Sequence, residues 1–214
     1  LDGLTFDPEK ARKLLSESKY AGFLANIPSD EPHYQLAQEL LSASQSSLSD
    51  QLPRIIISVP GTGGSVGLDL EVVVDMWERE LGVVVDFQQV EWATFLKDLD
   101  KQTFQSFAGL GWEADYPDPQ DFLDVLFHSD SDINHGAYSN PAADKILEEA
   151  RTLKDPLERY RLYSQAERLI VEDAAWVPMW YTGERYVLIK PNVKGYRLTP
   201  MIIPKLKEVY FSNN

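Results

Sequence analysis

Arg54-Ile55-Ile56-Ile57-Ser58-Val59-Pro60 is a short apolar run that opens into Gly61-Thr62-Gly63-Gly64-Ser65-Val66-Gly67. It reads as a strand running into a Gly-rich turn. From about Leu68 to Leu81 the apolar residues return at helical spacing, with Val72, Val73, Met76 and Trp77 expected to face inward. Gly82 follows, where a residue without a Cβ closes a helix in the left-handed conformation at no steric cost. Val83–Val90 is a second strand, Trp92–Lys101 a second helix with Phe95, Leu96 and Leu99 apolar, and Phe104–Leu110 a third strand. Strand–helix–strand–helix–strand order predicts an α/β fold with a mixed, largely parallel sheet flanked by helices.

Working outward, four helices open alike. Asp7-Pro8, Asp118-Pro119, Asn140-Pro141 and Asp155-Pro156 each set a capping side chain before a proline at the first helical position. The expected buried stripes are Ala11, Leu14 and Leu15 in the first, Ile146, Leu147 and Ala150 after Pro141, and Leu162, Ala166, Leu169 and Ile170 after Pro156. Residues 26–51 are rich in Ser, Gln and Asp and read as a mobile surface insertion, with a short helix near Leu36–Leu41 and a Ser-rich tether, Ser42–Ser49. Ala175–Tyr181 and Tyr186–Ile189 read as further strands, and Lys207–Phe211 as another.

Composition narrows the function classes. The chain carries 20 Lys and Arg against 34 Asp and Glu, a net charge of −14. A nucleic-acid or anionic-membrane partner needs a basic footprint and is not expected. With no cysteine, thiol catalysis and Cys-ligated metal are excluded. No apolar run is long enough to span a membrane. The start, Leu1-Asp2-Gly3-Leu4, lacks an initiator Met and looks like the middle of a longer gene product.

Three stretches carry side chains that could do chemistry. The turn Gly61–Gly67 follows a strand and precedes a helix, with Asp86 about 20 residues on, so a nucleotide-binding enzyme domain is the alternative reading; its last glycine falls one residue late. The run His128-Ser-Asp-Ser-Asp-Ile-Asn-His135 offers metal-ligating side chains, but His135 stands where an EF-hand needs Gly and Pro141 where it needs Glu. Nucleophilic catalysis has thin support, since the chain holds three histidines, His33, His128 and His135. The third stretch, Gly111-Trp-Glu-Ala-Asp-Tyr-Pro-Asp-Pro119, follows the third strand. It sets an aromatic wall, Trp112, beside a carboxylate, Asp115, a pairing that suits a ligand with an ammonium group next to an apolar portion.

Together with Phe6–Leu15, Trp77–Trp92, Tyr138-Ser139-Asn140-Pro141, Glu172-Asp173-Ala174, Val177-Pro178 and Lys190–Tyr196, this motif resembles the C-terminal lobe of the family 5 extracellular solute-binding proteins, the peptide receptors of bacterial ABC importers. The resemblance implies a periplasmic-binding-protein-like lobe over residues 1–206, with 207–214 a terminal strand returning to an absent N-terminal lobe. It implies no enzymatic activity, no cofactor and no metal. The expected partners are a peptide or other small solute, the N-terminal lobe and ABC permease subunits. The expected location is extracytoplasmic, in the periplasm or on the outer face of the membrane, with a lipid anchor on the full-length protein. The Asp matching Asp115 anchors the ligand's α-ammonium and the Trp matching Trp112 lines the pocket. Glu113, Tyr116, Tyr138, Trp180 and Tyr181 are the remaining expected ligand neighbours, with Thr182 beside them. Glu113 departs from the family pattern, which has a small residue there; facing the ligand, it would favour cationic ones.

Overall fold

The computed structural model describes residues 4–44, 54–181, 186–199 and 204–212. The chain divides into two compact units, Asp2–Leu110 and Gly111–Asn214.

The first unit is built on three parallel strands, β1 (Ile55–Pro60), β2 (Val85–Val90) and β3 (Ser106–Phe107), in the order β2-β1-β3. Ile57 pairs with both Phe87 and Ser106. The crossovers are α3 (Leu68–Leu81) and α4 (Trp92–Lys101), with the bounds the apolar periodicity predicts. Gly82 closes α3 at φ 66°, and a Cβ there would lie 2.0 Å from the Phe23 carbonyl oxygen, so only glycine fits both the conformation and the space. β3 is shorter than expected because only two residues pair with β1, although the Ala108 amide still donates to the Ser58 carbonyl.

Phe23, Ile57, Val59, Val83 and Val85 form the core, with Leu70, Val74, Trp77 and Leu81 of α3 packed against it. The inward face of α3 is therefore rotated from the expected one: Val72 and Met76 are exposed. Helix α1 (Pro8–Ser16), capped by the Asp7 carboxylate on the Lys10 amide, likewise turns Arg12 and Ser16 inward and leaves Leu14 exposed. A tertiary ion pair overrides the apolar stripe, because the Arg12 guanidinium meets the Glu80 carboxylate at 2.6 Å. The region read as a mobile insertion is packed over its described part. A short 3₁₀ turn, Ala21–Asn26, leads to α2 (Tyr34–Ala43), and Leu24, Ile27 and Ala37 form a small buried cluster. Residues 45–53, with most of the Ser-rich tether, lie outside the described residues.

The second unit is helical. α5 (Gln120–Phe127), α6 (Pro141–Thr152) and α7 (Pro156–Glu172) enclose Leu147, Ala150, Leu162, Tyr163 and Ala166, and Leu126, Phe127 and Ile170 form a second cluster. Asn140 and Asp155 cap α6 and α7 as their Asn-Pro and Asp-Pro pairs predict. α5 starts one residue later than expected, after Pro119, and Asp118 Oδ1 still accepts the Gln120 amide at 2.9 Å. Residues 175–181 and 186–189, expected as strands, carry none; Trp180, Tyr181, Tyr186 and Leu188 are exposed there, and a strand requires a paired neighbour. β4 (Val193–Lys194) pairs antiparallel with β5 (Tyr210–Phe211), so the terminal segment has a partner within its own unit.

Candidate functional site

The segment Gly111–Pro119 leads into α5 and is pinned at three points. Trp112 packs against the Leu126, Phe127 and Ile170 cluster. The Asp115 amide donates to the Asp121 carboxylate at 2.9 Å. Asp118 is ion-paired with Arg159 of α7. Between these pins a tight turn closes on itself, with the Asp118 amide donating to the Tyr116 carbonyl at 2.9 Å.

What the pins leave outside is informative. The Asp115 side chain is exposed, and among the described residues its carboxylate makes no hydrogen bond or ion pair. Glu113 is exposed too. Trp112 is half-buried, and its indole Nε1 is buried with no hydrogen-bond partner among the described residues. Tyr116 is 38% exposed, and its hydroxyl reaches Gln120 Oε1 at 3.4 Å. Partial burial, then the charges of Asp121, Asp118 and Asp124, raise the Tyr116 pKa, so it stays a neutral phenol.

The base beneath the segment is polar. Asp118, Asp121 and Asp124 recur at three-residue intervals. Asp121 and Asp124 are only 1% and 4% exposed. Arg151 of α6 grips Asp124 through two hydrogen bonds of 2.5 Å, a bidentate pairing that raises the arginine's pKa. Arg159 joins Asp118, the Tyr163 hydroxyl at 3.3 Å and the Ala150 carbonyl at 3.1 Å. Burial acts to lower the Arg159 pKa, but its hydrogen bonds to Asp118 and Tyr163 outweigh this and the net shift is upward. Of these supporting carboxylates and arginines, the sequence reading names Asp118, as a cap. Acids repeating every three residues beside the apolar Phe122, Leu123, Leu126 and Phe127 were the available signal.

Tyr138 shares the Phe127 cluster with Trp112, its ring edge-on to Phe127 at 6.2 Å. Its hydroxyl donates to Asp173 at 2.7 Å, and Asn140 donates to the same carboxylate oxygen at 2.6 Å. Burial and that hydrogen bond push the Tyr138 pKa up to about 12, and the same bonds lower that of Asp173. Trp180 and Tyr181 are exposed, the latter at 91%, and the structure does not bring them to Asp115 in a defined contact. Thr182 lies outside the described residues.

The competing stretches take structural roles. Gln89 of β2 fastens the Gly-rich turn, accepting the Gly63 amide at 2.8 Å and donating to the Gly64 carbonyl at 2.6 Å. Asp69 and Glu71 stand in the first turn of α3, where they oppose a phosphate. Asp86 lies within β2, ion-paired with Arg54 at 2.9 Å. In the His128–His135 stretch, buried Asn134 donates to the His128 and Tyr138 carbonyls, and the Ser129 hydroxyl donates to Asp144. Among the described residues no three His, Asp or Glu converge as metal ligands. No helix among them is long and apolar enough to cross a membrane.

The fold is that of solute-binding proteins. It matches the murein tripeptide-binding protein MppA of Escherichia coli with a TM-score of 0.64 over 97% of this chain and 46% of that one, at 21% identity. It matches OppA of Burkholderia pseudomallei with a TM-score of 0.65 over 84% of this chain and 35% of that one, at 26% identity. The model of the bacterial extracellular solute-binding proteins, family 5, matches residues 2–134, and the chain belongs to this family. In sequence it is 35% identical over 191 residues to the periplasmic oligopeptide-binding protein OppA of Salmonella typhimurium, across 88% of this chain and 29% of the relative. It is 33% identical over 183 residues to the periplasmic murein peptide-binding protein MppA of E. coli, across 82% and 33%. The chain thus spans about a third of the length of these curated relatives.

Proposed function

We propose that this chain is the C-terminal lobe of a two-lobed extracytoplasmic receptor that captures peptides for an ABC importer. The observation that carries the reading is Asp115: an exposed carboxylate with no partner among the described residues, set on a segment whose backbone is pinned on both sides. Family membership and the names of the relatives support peptides as the solute class.

In this reading Asp115 pairs with the α-ammonium of the peptide once the N-terminal lobe closes over it and excludes water. Trp112, Tyr116, Trp180 and Tyr181 supply apolar and aromatic walls. Glu113 adds negative charge that favours cationic peptides. Tyr138 acts indirectly, because its hydroxyl is committed to Asp173. The protein performs no catalysis and needs no cofactor. Its further partners are the permease subunits, and a lipid anchor on the full-length protein keeps it at the membrane surface.

The reading is tested by expressing the complete receptor and identifying the ligands it retains by mass spectrometry. Peptides with free amino termini are the expected content; a receptor that retains nucleotides and no peptide contradicts the proposal. The 214-residue chain alone is expected to bind peptides more weakly than micromolar, because half of the contacts are absent.

A further inference from the structure

Three carboxylates line the base of the site at three-residue spacing, and their environments differ. Asp118 and Asp124 are each neutralised by an arginine, Arg159 and Arg151. Asp121, between them, is 1% exposed and has no cationic partner among the described residues. A carboxylate this buried needs a donor. The hydrogen bond that Asp121 makes is to a single backbone group, the amide of Asp115, at 2.9 Å. Its charge is also favoured by its place in the first turn of α5, where the helix amides point toward it.

We propose that Asp121 is the positioning residue for ligand capture: its buried carboxylate fixes the backbone of Asp115, so that the Asp115 side chain meets the ligand's ammonium already oriented. The inference rests on Asp115 being the ammonium anchor. A bond from a backbone amide to a carboxylate is charge-assisted and stronger than one between neutral groups. It removes the main-chain freedom that Asp115 would otherwise lose on binding. The arginine pairs on either side keep the other two carboxylates from competing for that amide. Affinity then depends on a residue that never touches the peptide.

The test uses the complete receptor and two probes: a tripeptide library with free amino termini and the same library N-acetylated. A structural defect lowers affinity for both libraries, whereas a positioning defect erodes only the preference for the free amine. Asp121→Ala is expected to reduce that preference about tenfold, leave acetylated peptides within about twofold, and speed hydrogen exchange at the Asp115 amide. Asp121→Asn keeps a weaker acceptor and is expected to fall between, losing two- to fivefold, roughly, on free-amino peptides. Should the alanine variant fail to fold, the asparagine variant carries the test through the same two readouts. Unchanged preference and unchanged Asp115 exchange in a folded variant overturn the inference, as does equal weakening of both libraries. If Asp115→Ala itself keeps the preference, the anchor reading fails and this inference falls with it. If Asp115→Ala loses the preference while the Asp121 variants keep it, only the role of Asp121 is overturned.

Discussion

The two units of the chain solve the burial problem with different materials. The unit 2–110 wraps a parallel sheet in aliphatic and aromatic side chains, and its buried polar residues among those described are Arg12, Ser16 and Ser58. The unit 111–214 buries Asp121 and Asp124 on α5 and His128 and Asn134 in the loop that follows it, beside a helical core that includes Ala150 and Ala166. Apolar contact is non-directional, while hydrogen-bonded charge fixes both distance and angle. Of the buried polar residues in the helical unit, Asp121 bonds the backbone of the segment that presents Asp115. The comparison teaches that the sheet supplies bulk stability, and that the helical unit gives up some of it to hold one backbone segment in a defined conformation.

That contrast can be broken or sharpened by substitution. The largest effect is expected from removing volume in the first unit. Phe95 is 1% exposed, and Phe95→Ala should lower unfolding free energy in urea by about 4 kcal/mol. Next comes removal of charge in the second. Arg151→Ala strands the buried Asp124 carboxylate and should cost about 3 kcal/mol, with part recovered in the double variant Arg151→Ala, Asp124→Ala.

Tyr138→Phe should act more weakly and with a pH signature. Tyr138 has a raised pKa, so its contribution is present below the ordinary phenol range and is lost as pH rises toward about 12. Asp173 has a lowered pKa, so its contribution is present above the ordinary carboxylate range and is lost as pH falls through the lowered value. The deficit of the variant should therefore be flat from about pH 5 to 9 and shrink at both extremes; a deficit independent of pH throughout would show that the ionisation of Asp173 and Tyr138 does not set it. The smallest effect belongs to Arg54→Ala. Its pair with Asp86 is exposed on both sides, and the change should stay within about 0.5 kcal/mol. A loss as large as that of Arg151→Ala would erase the distinction between the two units.

Much of the first unit was legible in the sequence because its signals are local. The 68–81 and 92–101 helices end where Gly82 and the apolar spacing say they should. What was not legible depends on partners far along the chain. The buried face of α1 is set by Glu80, and the packing of residues 27 to 43 by a small cluster around Leu24 and Ala37. Val72 and Met76 match a helical stripe, yet they are exposed, since periodicity locates a face only approximately. The stretches near Trp180 and Leu188 have strand-like composition, but composition cannot supply a pairing neighbour. In the site, the motif around Trp112 and Asp115 takes its ligand-binding reading from the ordered motifs on either side of it. Its support was not legible, because the Asp118–Arg159 and Asp124–Arg151 pairs join residues that only the fold brings together.

The central claim is that Asp115 holds the ammonium of a captured peptide. Calorimetric titration of a free-amino tripeptide library into the complete receptor, with and without Asp115→Ala, tests it most directly. Loss of one partner of a desolvated ion pair costs about 3–5 kcal/mol, so affinity should fall by more than about a hundredfold. Affinity within about threefold of the unsubstituted receptor would contradict the claim.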